Sequence, residues 1–391
     1  MVLAAVGTIT VFLGWVQVWS VLSGGLIDEF GFSPAWMSMA YSMFTLASFC
    51  MQNLAGQLQK RIPPRFIFWA AAVLVFAGWS LPGFVAHPGV VFVAIGFLAG
   101  GGQGLAYNTS LSVAQRWFPD RRGLASGVCL GGMGLAPLAF APFASFLIQG
   151  FGVQVAFRVV GALIGGIVLL MSAFMRYPRD GQQLARGVVA EPAAARSARQ
   201  SARSVLSSAK FWVMWVGMIG GAIPGTVLIA HLSEMARYDA HLDVGTAALL
   251  VSAMALVNFV GRIGLGTVSD RLGRYRTLVV SYAAALVGFA GFALAGGNAV
   301  LFVASLCAAA LGYGGMMSTM VALCSDVFGE HDVGRNYAML FSGFTSGAWV
   351  GPTVAALVYE ATGTFFGAYL LCAAVSAIGL CAILVLRRMT R

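Results

Sequence analysis

Charge is scarce in this 391-residue chain. Only 9% of its residues are Asp, Glu, Lys or Arg, against 59% hydrophobic ones. A soluble domain carries roughly 25% charged residues, so water cannot solvate this surface on every side and lipid must. Lysine is almost missing, present only as Lys60 and Lys210. The six cysteines form no C-x-x-C pair, which argues against a metal site and reads as small apolar residues with free thiols. There is no Walker sequence, so no ATP-driven pump is built into the chain, and no Ser/His/Asp or zinc pattern, so no enzyme is expected. No cofactor is implied. The run Gly100-Gly-Gly-Gln-Gly104 lies in an apolar stretch with no preceding strand, which sets aside a dinucleotide loop.

What is present is apolar sequence in helix-length blocks. A helix crosses the bilayer with about 20 apolar residues. Such blocks fall near 2–23, 34–57, 66–86, 89–113, 123–148, 153–176, 209–232, 244–268, 277–295, 299–323, 335–359 and 364–386. The first apolar block runs straight into more of the same, unlike a cleavable leader. Of the 23 basic residues, 20 fall in one alternating set of loops and the tail: Lys60 to Arg65, Arg116 to Arg122, the 176–210 stretch, Arg271 to Arg276, Arg335 and Arg387 to Arg391. The opposite loops hold Asp28, Glu29, Glu234, Asp239, Asp243 and Glu360. Lys and Arg stay on the cytoplasmic side, so both termini are expected there. The net charge of +10 is then explained by topology, and nucleic acid is not an expected partner. Residues 176–208 read as a basic cytoplasmic linker beside anionic headgroups.

The chain repeats itself. Gly56 and Gly266 open similar loop segments 210 residues apart, and Phe118 and Phe328 share that spacing. Tyr107 in the fourth span is answered by Tyr313 in the tenth, and the Gly123, Gly127, Gly131 ladder by Gly343, Gly347, Gly351. Small residues at such spacing let membrane helices pack closely, and between two halves they would permit rocking. A repeated six-span unit is a transporter architecture. The expected domains are a first half, 1–175, the linker, and a second half, 209–391.

The segment Gly266-Thr-Val-Ser-Asp-Arg-Leu-Gly-Arg274 resembles the loop signature of the major facilitator superfamily. The resemblance implies an all-α membrane protein of twelve transmembrane helices in two pseudo-symmetric halves. Glycine there is read as allowing helices to approach, and Asp270 as capping the start of an adjacent helix or pairing with Arg271 or Arg274. Gly266, Asp270, Arg271, Gly273 and Arg274 would then form a cytoplasmic gate; a plain interfacial salt bridge is the alternative. In the first-half copy Lys60 stands where the acid is expected, so the latch reads as asymmetric. The segment Arg116-Trp-Phe-Pro-Asp-Arg-Arg-Gly-Leu-Ala-Ser-Gly127 is similar to the one between spans four and five of the monocarboxylate transporters and the oxalate/formate antiporters.

Arg262 is the sharpest residue. It sits in the eighth span, and the sequence places no acid at mid-span to pair with it. A charge at membrane depth is costly and wants a wet cavity or a partner. A guanidinium fits a carboxylate with two hydrogen bonds, and in the resembled families an arginine here holds the substrate carboxylate. The alternative is an arginine reaching the interface. Asn258, one turn earlier, shares its face. Many animal monocarboxylate carriers have an aspartate there; asparagine bonds a substrate but cannot titrate. Where the oxalate carrier has a second cation, this chain has Phe344, which favours one carboxylate over two. Tyr107, Asn108 and Tyr313 offer polar tips, with helix-to-helix bonding as the alternative. His231 reads as ending the seventh span, as an interfacial or proton-responsive group. Trp19, Trp349 and Phe344 read as apolar walls.

Together these predict a monomeric, multi-pass cell-membrane protein, by its short loops of a bacterial inner membrane, that moves a small monocarboxylate by alternating access, with proton symport. Anion exchange of the oxalate/formate type and a non-transporting sensor are the competing readings.

Overall fold

The computed structural model describes residues 1–59, 61–118, 122–178, 202–328 and 333–390. Lys60, Arg121, most of the 176–208 linker, the surroundings of Gly123 and Gly127, and the side chain of Arg335 lie outside the described set.

Twelve long helices account for nearly all of it, and no strand occurs among the described residues. They are α1 Val2–Phe30, α2 Pro34–Leu58 and α3 Pro64–Gly83. Pro88–Val91, Phe92–Ala99 and Gly100–Trp117 run on as α4. Then come α5 Arg122–Phe151, α6 Val153–Ser172, α7 Ala209–Tyr238 and α8 Val244–Leu272. α9 Arg274–Ala295, α10 Ala299–Phe328, α11 Val333–Thr362 and α12 Phe366–Met389 complete the chain. Ten are long and apolar enough to span a bilayer by composition alone. The other two, α2 and α11, are diluted by residues such as Ser38, Ser42, Gln52, Asn336, Ser342 and Thr345. This is the expected fold: twelve transmembrane helices in two six-helix halves.

The ends follow local chemistry. Ser33 caps α2, its Oγ accepting from Trp36 N, and Pro34 supplies the fixed φ that suits a first helical residue. Gly31, at φ 64°, closes α1 in the left-handed conformation. Glu29 accepts from Val153 N at 2.8 Å and so caps α6, where an N-terminal positive dipole favours it. Asp243 caps α8 through Thr246.

Contacts divide the chain into two compact units. The first is built on α1–α6 and takes in Leu232–Glu234 and Asp243–Ser252; the second takes the remainder of α7–α12. In the first, Trp79 meets Trp19, Phe44 and Phe157 in one aromatic cluster. Large apolar side chains such as Val73, Phe76, Val287 and Leu294 stand exposed, where lipid solvates them.

Within each unit the same helix crossings recur 210 residues apart. A Cβ on Gly102 would press on Ala71 O and Val75 N, and one on Gly312 on Ser281 O and Ala285 N. A Cβ on Gly78 would collide with Ala99 N, and one on Gly288 with Ala309 N. The repeat therefore extends to individual backbone contacts. That register corrects two pairings. Tyr107 and Tyr313 are 206 apart, one turn out of step, so the partner of Tyr313 is Gln103. The ladders at Gly123 and Gly343 are likewise 220 apart, whereas Pro142 and Pro352 keep 210. The Gly343, Gly347, Gly351 ladder packs α11 on Trp215, Ala222 and Ile223 of α7, inside the second unit rather than between halves.

Candidate functional site

The second unit's polar centre forms where α8 crosses α10. A Cβ on Gly314 would fall on the Asn258 carbonyl oxygen and stand 3.0 Å from Arg262 N. On the other side, a Cβ on Gly261 would meet Leu311 O at 2.7 Å. The two backbones therefore touch, and the Asn258–Arg262 turn is fixed against α10. Tyr313, beside that contact, lays its ring over Gly225 of α7. Its hydroxyl lies within electrostatic reach of Arg262. Asn258 and Tyr313 are both 6% exposed, and Arg262 is half-buried.

Two donors in this cluster are unmet. Asn258 Nδ2 and Arg262 Nε are buried without a hydrogen-bond partner among the described residues. Leaving a buried donor unmatched costs about 1–3 kcal/mol, so a native protein tolerates it where something else supplies the acceptor.

The first unit provides the comparison. Its counterparts, 210 residues earlier, are Ser48 and Gln52, and Gly104 sits over Ser48 O as Gly314 does over Asn258 O. There Gln52 Nε2 donates to Ser48 Oγ at 3.3 Å. The same crossing thus carries an internally matched pair in one half and two orphan donors in the other.

Asn108 accepts from Gln59 Nε2 at 2.9 Å, inside the first unit. Tyr107 is half-buried on α4, also in the first unit. His231 does not end its span. α7 continues seven residues to Tyr238, and the ring is 1% exposed, its Nε2 3.0 Å from Pro352 O and its face near Phe365. Phe344 stacks on Phe341 at 4.8 Å. Trp349 is 49% exposed, and Trp19 belongs to the aromatic cluster of the first unit.

Of the residues expected to form a gate, Asp270 and Arg274 belong to a compact network. Arg274 pairs with Asp270, reaches Asp326 Oδ2 at 3.4 Å, and donates to Ser269 Oγ at 2.6 Å. These contacts tie α8, α9 and α10 within the second unit. Gly273, at φ 87°, makes the turn between α8 and α9, a conformation that side-chain-bearing residues rarely adopt. Arg271 is exposed. The expected close approach at Gly266 is not found: a Cβ there would make ordinary contact with Ser318, and at Gly56 it would meet nothing. The tight approaches lie one to two turns deeper, at Gly261 and Gly314.

Sequence reasoning misses one residue. Glu234 reads as an outer-loop acid, but it lies within α7, 1% exposed, and accepts from Ser23 Oγ of α1 at 3.3 Å. The signal that could have found it is length: α7 is a 30-residue helix, so its last turns still count as span. Beyond it, Asp239 accepts from Tyr369 at 2.6 Å; burial raises its carboxyl above the ordinary range, with the Tyr369 hydrogen bond opposing.

The profile of the Major Facilitator Superfamily matches residues 4–304 and again 237–391. Among curated proteins, the chain is 30% identical to the oxalate:formate antiporter of Oxalobacter formigenes over 83% of this chain and 76% of that one. It is 28% identical to the uncharacterized MFS-type transporter YhjX of Escherichia coli K12 over 88% and 85%. Monocarboxylate transporter 13 of Rattus norvegicus is 26% identical over 66% and 61%. The fold matches that of a point mutant of the nucleoside transporter NupG with a TM-score of 0.77, 14% identity and 99% and 100% coverage. It also matches an inward-facing, unoccupied bacterial homologue of the lysosomal transporter Spinster, with a TM-score of 0.74, 16% identity and 98% and 94% coverage.

Proposed function

This chain belongs to the major facilitator superfamily and is a membrane transporter, and on that premise we propose that it carries a small monocarboxylate by alternating access. The observation that carries this reading is the pair of orphan donors. Arg262 Nε and Asn258 Nδ2 lack acceptors among the described residues, while at the counterpart positions Gln52 Nε2 donates to Ser48 Oγ. A carboxylate supplies what is absent: two acceptor oxygens and one negative charge, matched to a guanidinium that never loses its proton. Tyr313 adds a hydroxyl beside it. The names of the relatives, an oxalate:formate antiporter and a monocarboxylate transporter, point to the same chemical class.

For coupling, we favour proton symport, with Glu234 as the group that takes up the proton. A carboxylate this buried within a membrane helix is a functional residue by default. Ser23 faces it from α1, and on α7 His231 and Arg237 lie one turn to either side. The exchanger reading draws on the oxalate:formate relative. We place both termini on the cytoplasmic side, by the distribution of Lys and Arg, and the Arg274 network there as an inner latch.

The test is uptake of radiolabelled lactate, pyruvate and oxalate into proteoliposomes, with and without an inward proton gradient, for wild type and Arg262→Ala. Saturable monocarboxylate uptake that the variant abolishes is expected. Equal transport by the variant, or none of these acids moved by folded wild type, sinks the assignment. Uptake that ignores the gradient but follows a counter-anion selects exchange.

A further inference from the structure

The two halves share their crossings but not their charges. In the second, Arg274 lines a cavity of about 590 Å³ with both its acids, Asp270 and Asp326. The residues 210 earlier are Lys60 and Arg116, so each acid is answered by a base. Lys60 lies outside the described residues; the rest of the corresponding first-half surface is described.

There the α2–α3 turn and the chain just after α6 line an open surface pocket of about 450 Å³. Arg61, Arg65 and Arg176 line it, and no acidic residue does among the described residues. A fourth guanidinium, that of Arg116, lies 3.9 Å over the ring of Tyr177, which forms one wall. Tyr177 donates to Gln59 Oε1 at 3.3 Å, and the buried Gln59 donates on to Asn108, so the wall is held from behind. Three arginines around one cavity with no acid in its lining repel each other, and an anion relieves that. Guanidinium planes suit phosphate oxygens in bidentate geometry.

The surface beside the cavity indicates what carries the phosphate. From Arg65 onward, α3 presents Phe66, Trp69, Val73 and Phe76, all exposed and at helical spacing along one stripe. Residues 66 to 76 rise about 15 Å, roughly one leaflet of hydrocarbon. Arg65 joins the two features, lining the pocket while its guanidinium lies 4.8 Å over the Phe66 ring where the stripe begins, and a basic cluster continued by an apolar stripe of that length has the two-part character of a phospholipid. We propose that the first half binds one anionic phospholipid here, its headgroup phosphate held by Arg61, Arg65 and Arg176 and its acyl chains lying along α3.

The experiment is native mass spectrometry of the purified full chain titrated with phosphatidylglycerol or phosphatidylcholine. Wild type should retain phosphatidylglycerol in preference to phosphatidylcholine. Neutralising Arg61, Arg65 and Arg176 to Gln should lower that preference by on the order of a hundredfold, at roughly fivefold per basic residue. Arg116→Asp, which supplies an acid to this cluster, should weaken it with no arginine removed from the cavity, so the result does not depend on the triple variant folding. Arg387→Gln with Arg388→Gln, on the α12 tail, should leave the preference unchanged. An equal loss in that tail variant reduces the effect to general attraction between basic loops and lipid and overturns the site. Displacement of the lipid by millimolar inorganic phosphate overturns the lipid assignment in favour of a soluble anion.

Discussion

Replacing Arg262 by Met keeps the apolar stem and removes the guanidinium. Among the described residues the Arg262 Nε donor is buried and unmatched, a state that costs about 1–3 kcal/mol. Removing it should therefore stabilise the empty protein by a similar amount, seen as a rise of a few degrees in Tm. The same change removes the cation from the proposed substrate site. Truncating one partner of a buried charge pair costs about 2–5 kcal/mol, or on the order of thirtyfold to several-thousandfold in affinity. Stability and function should move in opposite directions, as expected where a site is held at the expense of the fold. The measurements are thermal unfolding in detergent without substrate, equilibrium binding of the transported acid, and uptake into proteoliposomes. A variant that melts several degrees lower with no acid present would make Arg262 a structural anchor and refute the reasoning. So would a variant that binds the acid as well as wild type.

Gly314→Ala drives a methyl onto Asn258 O; overpacking of this kind costs about 1–3 kcal/mol. A displaced arginine should lower uptake by on the order of a hundredfold, whereas Gly264→Ala, with open space around its Cβ, should leave transport rates unchanged. Glu234→Gln should abolish gradient-driven uptake while leaving exchange between internal and external acid, read by preloading the liposomes. For Asp239, burial holds the folded carboxyl above its unfolded value, with Tyr369, the Phe365 backbone and His241 opposing. The native state thus binds this proton more tightly than the unfolded chain, and its contribution to stability is lost as pH rises through the folded pKa. Asp239→Asn, still able to accept from Tyr369, should flatten the dependence of Tm on pH between acid and neutral, measured by scanning fluorimetry.

The fold was legible because apolar length and basic-loop alternation are additive signals, strong over hundreds of residues. Arg262 stood out for the same reason that membranes make charge conspicuous. What was not legible depended on register and on helix length. Pairing Tyr107 with Tyr313 matches residue types and ignores a one-turn offset that only the backbone crossings reveal. Glu234 looks like a loop residue because α7 outlasts its most apolar stretch. The glycines that bring helices together, Gly104 and Gly314, carry no motif; what marks them is the carbonyl each sits upon, which belongs to another helix.

The shared 210-residue register gives this molecule an internal control. Gln52 stands at the position of Arg262 and Arg116 at that of Asp326, so the same crossings carry different charges in the two halves. The backbone joints match between the halves while the side chains beside them differ. Exchanging residues between matched positions, Arg262→Gln with Gln52→Arg for instance, asks whether the carrying role belongs to a half or to a place in the repeat, and both versions can be read within one polypeptide.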